Sequence, residues 1–294
     1  MSGQTTMTLE SAAPRLIVLG GTGFIGRALV AAAPGALSID GAVGRSPRAL
    51  RECLRVAAAD AVVVHAAGSV ARAGQPADPR AYVDSTRLLF EAIAATGSRT
   101  RVLTLGSVAE RLAGVGAYAS VKREQRAVAQ EAAERFGIPW RHLLVHNVIG
   151  PDVPATLAPG AIVRHLRQVI AAGGRTLTIV DEAAVRDYLD VRDVAAIVVA
   201  LGGRFDAIDR HPPLEICSGI GRSIHAIAAA LVAASGAAIE IVESRGADDR
   251  SRVVGDPAPL EALLGATAGM TIDFGTSITD LWESSARFPP RASS

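Results

Sequence analysis

The chain has 294 residues, 49% of them hydrophobic and 20% charged, with 30 Lys and Arg against 29 Asp and Glu for a formal net charge of +1. That length and apolar fraction suit one large α/β domain or two smaller ones and exclude a disordered chain; the balanced, run-free charge offers nothing to nucleic acid or an anionic membrane. Cys53 and Cys217 lie far apart with no metal-ligand or CxxC spacing, so they read as reduced thiols of a cytoplasmic protein, and no metal centre is expected.

Residues 1–14, MSGQTTMTLESAAP, are polar and lack the apolar stretch of a leader peptide, so they read as a flexible tail. RLIVLG (15–20) is an apolar run closed by glycines, which is how a strand buried on both faces looks in sequence. It is too short to span a bilayer. A helical pattern starts near Phe24, and ALSID is a weak second strand. SPRALRECLRVAAA begins with a Ser cap and a Pro at the first helical position, then repeats apolar residues at helical spacing. AVVVHAAG is a buried strand. After a Pro- and Gly-rich loop come the helix PRAYVDSTRLLFEAIAATG, the strand RVLTLGS, the charged helix YASVKREQRAVAQEAAERFG and the strand WRHLLVHNVIG. Parallel neighbours need crossover connections, so this alternation predicts an α/β fold with a doubly wound parallel sheet, whose ligands bind at the carboxyl ends of its strands.

After NVIGPDVP the composition changes. Helix GAIVRHLRQVIAAGG, strand LTIV, helix VRDVAAIVVALGG, strand PLEICSG, helix RSIHAIAAALVAASG, strand AIEIVES and two short helical stretches near 257 and 277 follow without a linker. The chain therefore divides into a dinucleotide-binding domain at 15–150 and a smaller C-terminal α/β lobe at 151–294, with some of its segments returning to the first sheet.

GGTGFIG (20–26) fits both GxGxxG and GxxGxxG. Alone it discriminates little, but it follows the first strand and opens a helix. There backbone N–H groups and the helix dipole can hold a pyrophosphate, and absent side chains permit close approach. Gly20, Gly23, Phe24, Ile25 and Gly26 are the predicted contacts; the bland alternative is a glycine-rich turn with no ligand. His65, Ala66, Ala67 and Gly68, closing another strand on the same edge, leave room for a ribose, although any tight strand-to-helix corner looks similar.

AYASVK sets Tyr118 four residues before Lys122, so the two share one helix face. A free phenol, with pKa near ~10, is a poor proton carrier at neutral pH. An ammonium at ~4 Å and an effective dielectric of ~20 is worth about 4 kcal/mol, which is expected to lower the phenol by about two or three units. Ser107, ending the preceding strand, can offer a hydroxyl to the same substrate oxygen. The three residues form a device for moving a proton on or off a carbonyl or alcohol oxygen beside a nicotinamide, and YxxxK alone is common by chance.

These residues resemble the extended short-chain dehydrogenase/reductases, the nucleotide-sugar epimerase, dehydratase and reductase group, from Arg15 to about Trp282. The resemblance implies catalytic roles for Ser107, Tyr118 and Lys122, with the last two also touching the cofactor. NVIGP is similar to the family's NVxGP turn and implies that Asn147 touches the sugar or its diphosphate, as Ser107 does. VRDYLDVRDVA is similar to its RDYxxVxDVA element, which puts Arg186 on the substrate phosphates; an ion pair with Asp187, Asp190 or Asp193 is the alternative. Arg245 and Arg250, in a charged stretch that by default is a solvated loop, are candidates for a second phosphate contact. The later segments are most similar to reductases of GDP-4-keto-6-deoxymannose and related 4-keto sugars.

Three departures qualify the resemblance. The family's dehydratases carry Asp and Glu directly after the strand-end Ser or Thr, whereas this chain reads Ser107, Val108, Ala109, with Glu110 one place late, which argues against dehydration. Tyr82 stands where the family usually has the Asn that supports the catalytic lysine. The segment between the glycine loop and HAAG is short, which obscures the cofactor. Asp40 favours NAD(H) through the ribose hydroxyls or is a turn residue; Arg45, with Arg27, favours the extra phosphate of NADP(H) or is a solvated loop residue. The lean is to NADP(H).

The resemblance thus implies an NAD(P)H-dependent ketoreductase acting on a nucleotide-activated 6-deoxysugar. A 4-epimerase with tightly held NAD and a non-catalytic NAD(P)-binding regulator are the alternatives. It further implies a homodimer built on helices near 79–96 and 117–136, with no nucleic-acid or membrane partner.

Overall fold

The structure is a computed structural model that describes residues 15–41, 43–67, 80–112, 116–181, 183–244, 251–265 and 270–287. The predicted tail, Gly68, Arg245 and Arg250 lie outside the described residues.

The apolar runs of the first half become parallel strands joined by helices: β1 (Leu16–Leu19), α1 (Phe24–Ala32), β2 (Leu37–Ile39), α2 (Pro47–Arg55), β3 (Val62–His65), α3 (Arg80–Thr96), β4 (Arg101–Ser107), α4 (Gly116–Phe136) and β5 (Trp140–Val145). Ser46 caps α2 as its sequence predicts, its side chain accepting from Ala49 N ahead of Pro47. The predicted strand WRHLLVHNVIG is two strands, not one. At His146, whose N–H donates to Ile216 O, the chain leaves the central sheet, and β6 (Asn147–Ile149) pairs elsewhere.

The second half supplies α5 (Ala158–Ala171), β7 (Thr176–Ile179), β8 (Val185–Asp190), α6 (Val191–Gly203), β9 (Leu214–Ile216), β10 (Gly221–Ser223), α7 (Ile224–Ser235), β11 (Glu240–Glu243), β12 (Arg252–Val253), α8 (Ala258–Leu264) and α9 (Phe274–Ser284). Strands β8, β10 and β12 have no counterpart in the sequence reading. The central sheet has the order β2-β1-β3-β4-β5-β9 and is parallel throughout, the doubly wound arrangement expected. Strand β9 and helix α6, from the second half, return to this first layer, α6 packing against α1.

Alternation along the strands explains the layers. Val18, Val62, Val64, Leu103 and Leu143 face one core with Leu29 of α1 and Ile197, Val198 and Leu201 of α6. Ile17, Leu19, Val63 and Val102 face the other with Leu50 of α2, Phe90 of α3 and Ala129 of α4. Strands buried on both faces carry near-continuous apolar sequence for this reason. A third core joins α5, α7 and α9 over β7 and β8. No described helix is long and apolar enough to cross a membrane.

Candidate active site

The carboxyl ends of β1 and β3 meet at the glycine turn. Gly20 sits at φ 92°, and a Cβ there would come 2.6 Å from the Ala67 backbone, so only glycine lets the two strand ends meet. A Cβ at Gly26 would collide with Gly20 O. The N-cap of α1 is Gly23, which has no side chain to occupy the first-turn amides, leaving those of Phe24, Ile25 and Gly26 for an anion. This cradle fits a dinucleotide pyrophosphate. His65, at the end of β3, is fully buried with Nδ1 unpartnered, and burial pushes its pKa down to about 3. At the end of β2, Asp40 Oδ1 accepts from Val43 N at 3.0 Å, so the carboxylate caps the 3-10 turn Val43–Arg45. Arg45 folds its guanidinium over Gly41, and Arg27 donates to Thr22 O.

Ser107 and Tyr118 come together on the α4 side of the β4 end, and Lys122 lies one helical turn on, deeper in the protein. Ser107 lies beside the Tyr118 hydroxyl, and Tyr118 is 52% exposed, open to a ligand. The expected lowering of the phenol does not occur. Loss of water around its hydroxyl end, with Tyr82 beside it, pushes Tyr118 up to about 12 although the residue as a whole is half exposed, and Ser107 pulls it down by less. Lys122 is only 6% exposed and is engaged elsewhere: its Nζ donates to Leu105 O (3.2 Å) and Gln125 Oε1 (3.0 Å) and lies 4.4 Å from the centre of the Tyr82 ring. Burial lowers its pKa to about 8. Gln125 continues inward, donating to Thr86 Oγ1, which lies 3.0 Å from His65 Nε2. Gln125 is absent from the sequence-based expectations, although a polar residue three places after Lys122 on a buried helix face was a visible signal.

Glu110 is not available as a dehydratase-type acid. Its carboxylate is buried, accepts from Ser107 N in a capping box, and meets His142. The position occupied by the dehydratase acid pair holds Val108 and Ala109.

Asn147 and Arg186 line one cavity of about 470 Å³ with Ala158, His165, Asp181 and Tyr188, between α5, β7 and β8. Asn147 Nδ2 donates to Asp187 O, and Arg186 Nη1 donates to Val185 O and Ser251 O. The three carboxylates named as ion-pair alternatives take other donors: Asp187 holds Ser218, Gly219 and Gly255, Asp190 holds Arg192 and Ser277, and Asp193 holds Thr271 and Ile272. Beyond the end of β5, His146, Glu215 and Cys217 bring ligand atoms within 4.8 Å of one another, but Glu215 already pairs with His146 and Arg111.

The model of the NAD dependent epimerase/dehydratase family matches residues 16–217. The chain belongs to that family. A dTDP-6-deoxy-L-talose 4-dehydrogenase (NAD(P)(+)) of Kitasatospora kifunensis is 30% identical over 274 residues, covering 81% of this chain and 84% of that protein. Among solved structures, RMD from Pseudomonas aeruginosa complexed with NADPH superposes with a TM-score of 0.74 at 20% identity, covering 92% of this chain and 98% of that one. The UDP-glucose 4-epimerase of Thermus thermophilus in complex with NAD gives 0.68 at 19% identity, with the same coverage. At those identities the two structures speak for the fold. For this member of the epimerase/dehydratase family, the glycine cradle is the candidate place for an NAD(P) cofactor.

Proposed function

We propose that this protein is an NAD(P)H-dependent reductase of a keto group on a nucleotide-activated 6-deoxysugar. The observation that carries the reading is the half-exposed Tyr118 phenol set beside Ser107 at the end of β4, a proton donor and a second hydroxyl that one carbonyl oxygen can meet. Reduction of a carbonyl requires a proton donor, whereas oxidation of an alcohol begins from the phenolate. The Kitasatospora relative, named for chemistry at carbon 4 of a 6-deoxysugar, supports the same substrate class.

When bound, the nicotinamide supplies the hydride. Ser107 orients the carbonyl oxygen and Tyr118 delivers its proton to it. The Lys122 ammonium, through a general field and not through direct contact, favours the phenolate left behind. Asn147 and Arg186 take the nucleotide diphosphate in the cavity they line, where the planar guanidinium suits phosphate oxygens. Asp40, engaged in its turn, and Arg45 beside Gly41 favour the phosphate of NADP(H) over a ribose diol contact. Two copies would pair through α3 and α4, which pack side by side; light scattering giving a monomer at high concentration would reject the dimer.

The test is cofactor oxidation against a panel of nucleotide-linked 4-keto sugars, with NADH and NADPH in parallel. Stoichiometric consumption, abolished by at least about 100-fold in Tyr118→Phe with unchanged cofactor binding, supports reduction. Inversion at carbon 4 with no net consumption would instead make the protein an epimerase.

A further inference from the structure

Directly behind Ser107 lies a buried pair that the chemistry above does not use. The side chains of Glu110 and His142 are 2% and 1% exposed, and His142 Nε2 lies 3.0 Å from Glu110 Oε2. On its other side, His142 Nδ1 lies 2.7 Å from Thr104 Oγ1, which accepts from Trp140 Nε1 at 2.9 Å. The donor inventory gives these bonds a direction. An indole N–H only donates, so the Thr104 oxygen accepts it; of the two acceptors in reach of its hydroxyl proton, His142 Nδ1 at 2.7 Å is much closer than Arg141 O at 3.5 Å, and we assign the proton to the Nδ1 bond. The imidazole therefore carries its own proton on Nε2 and donates it to the carboxylate. Burial lowers the His142 pKa, so the ring is held in the neutral form this chain of bonds requires.

The far end of the chain is the candidate site. Glu110 Oε1 accepts from Ser107 N at 2.9 Å, and Ala109 N donates to Ser107 Oγ at 3.2 Å, so the carboxylate and the turn together fix the serine. Residue 106 is glycine because a Cβ there would strike both Glu110 Oε1 and His142 Nε2. A site whose approach is sculpted to admit a buried carboxylate is more than a helix cap, which a surface residue supplies.

We propose that Glu110, oriented by the Trp140–Thr104–His142 chain, is a positioning residue for the reaction: its carboxylate fixes the Ser107 main chain and stands as a buried negative charge within reach of Tyr118 and Lys122. This rests on the reading that Ser107, Tyr118 and Lys122 carry the proton transfer. The groups about Glu110 are His142 from β5 and Tyr118, Lys122 and Arg123 from α4, Arg123 donating to the Glu110 main-chain carbonyl; beyond them Tyr82 of α3 acts on Tyr118 and Arg126 of α4 on His142. A negative charge here keeps Tyr118 protonated and Lys122 charged, and both states serve proton delivery to a carbonyl.

The experiment measures tyrosinate absorbance against pH for the wild type, Glu110→Gln and Thr104→Val, each referenced to the same background carrying Tyr118→Phe. Cofactor dissociation constants are measured alongside. Glu110→Gln is expected to ionise Tyr118 about one pH unit lower, with NADPH affinity within about twofold of wild type. Thr104→Val removes the hydroxyl that sets the imidazole proton and is expected to shift the same titration in the same direction by less. Where a 4-keto sugar is turned over, both variants lower kcat by more than they change KM. An unshifted Tyr118 titration in a Glu110→Gln protein that still binds cofactor overturns the proposal. If Glu110→Gln does not fold, an unshifted titration in Thr104→Val overturns it equally. Failure of the reductase reading would show separately, as a wild-type protein that oxidises no cofactor with any keto sugar while the titrations remain readable.

Discussion

Lys122 Nζ lies 4.4 Å from the centre of the Tyr82 ring, and Tyr82 meets Tyr118 edge-on with ring centroids 6.5 Å apart. The neighbour shared by the ammonium and the phenol is thus an aromatic face, at the position where the family resemblance implies an amide. A cation over a desolvated ring is worth about 0.5 to 2 kcal/mol. Tyr82→Leu keeps the bulk and removes the ring's negative face, so we predict a loss of about 1 kcal/mol in urea denaturation at neutral pH and an alkaline limb of activity displaced to lower pH. Unaltered stability together with an unmoved limb would show that the ring does nothing for the ammonium.

Lys122 itself sets a pH dependence of stability. Its folded pKa, about 8, lies below the ordinary lysine value of 10.5, so between those values the unfolded chain binds more protons and stability rises with pH. The gain from this one group is about 3 kcal/mol across the window. In Lys122→Met the window contributes nothing, and the difference in unfolding midpoint between variant and wild type should change steadily from about pH 8 to about pH 10, the wild type gaining on the variant as pH rises. A constant difference across that range would mean that the lysine is not desolvated as described. Turnover, by contrast, should fall above about pH 8 in the wild type as the ammonium is lost.

How much of this was legible in the sequence depends on what each residue meets at a distance. The central sheet could be read because β1, β3 and β4 are buried on both faces and so are written in nearly unbroken apolar residues. Strand β8 could not. It is spelled VRDYLD, and its acids are fully or almost fully buried only because donors 31 to 87 residues away in sequence close over them. The spacing of Tyr118 and Lys122 puts them one turn apart on α4, but spacing carries no information on depth. Facing the sheet, Lys122 is desolvated and bonded to Leu105 O, and loss of water around the Tyr118 hydroxyl reverses the shift expected for the phenol. Glu110 shows the same limit: its chain position marked it as a late acid, whereas His142, 32 residues on, decides that it faces inward.

The glycine cradle gives a direct prediction. In Gly26→Ala the new methyl has backbone, not a flexible side chain, in its way at Gly20, so the turn between β1 and α1 must open. Overpacking of this kind costs about 1 to 3 kcal/mol. We expect a comparable loss in unfolding free energy and a fall of at least about tenfold in NAD(P)H affinity, read by cofactor fluorescence, because the amides of α1 no longer converge. Retained affinity would place the dinucleotide elsewhere.

Asp187 offers the sharpest structural test. It is fully buried in β8, and its carboxylate is caged by donors: Ser218 N and Oγ on Oδ1, Gly219 N and Gly255 N on Oδ2. Asp187→Asn preserves shape but turns one acceptor into an amide that faces backbone N–H groups, and it removes the charge that strengthens the remaining bonds. We predict a loss of about 2 to 4 kcal/mol, larger than that of a surface carboxylate such as Asp84, and a weakened joint between the β9 end and the strand that carries Arg186. Because Arg186 is two strand positions from the cavity residue Tyr188 and adjacent to Asp187, the variant should also raise KM for a nucleotide sugar more than it lowers kcat. A variant as stable as the wild type would mean that one of those donors has a second acceptor, and hydrogen exchange at Gly219 and Gly255 would identify which.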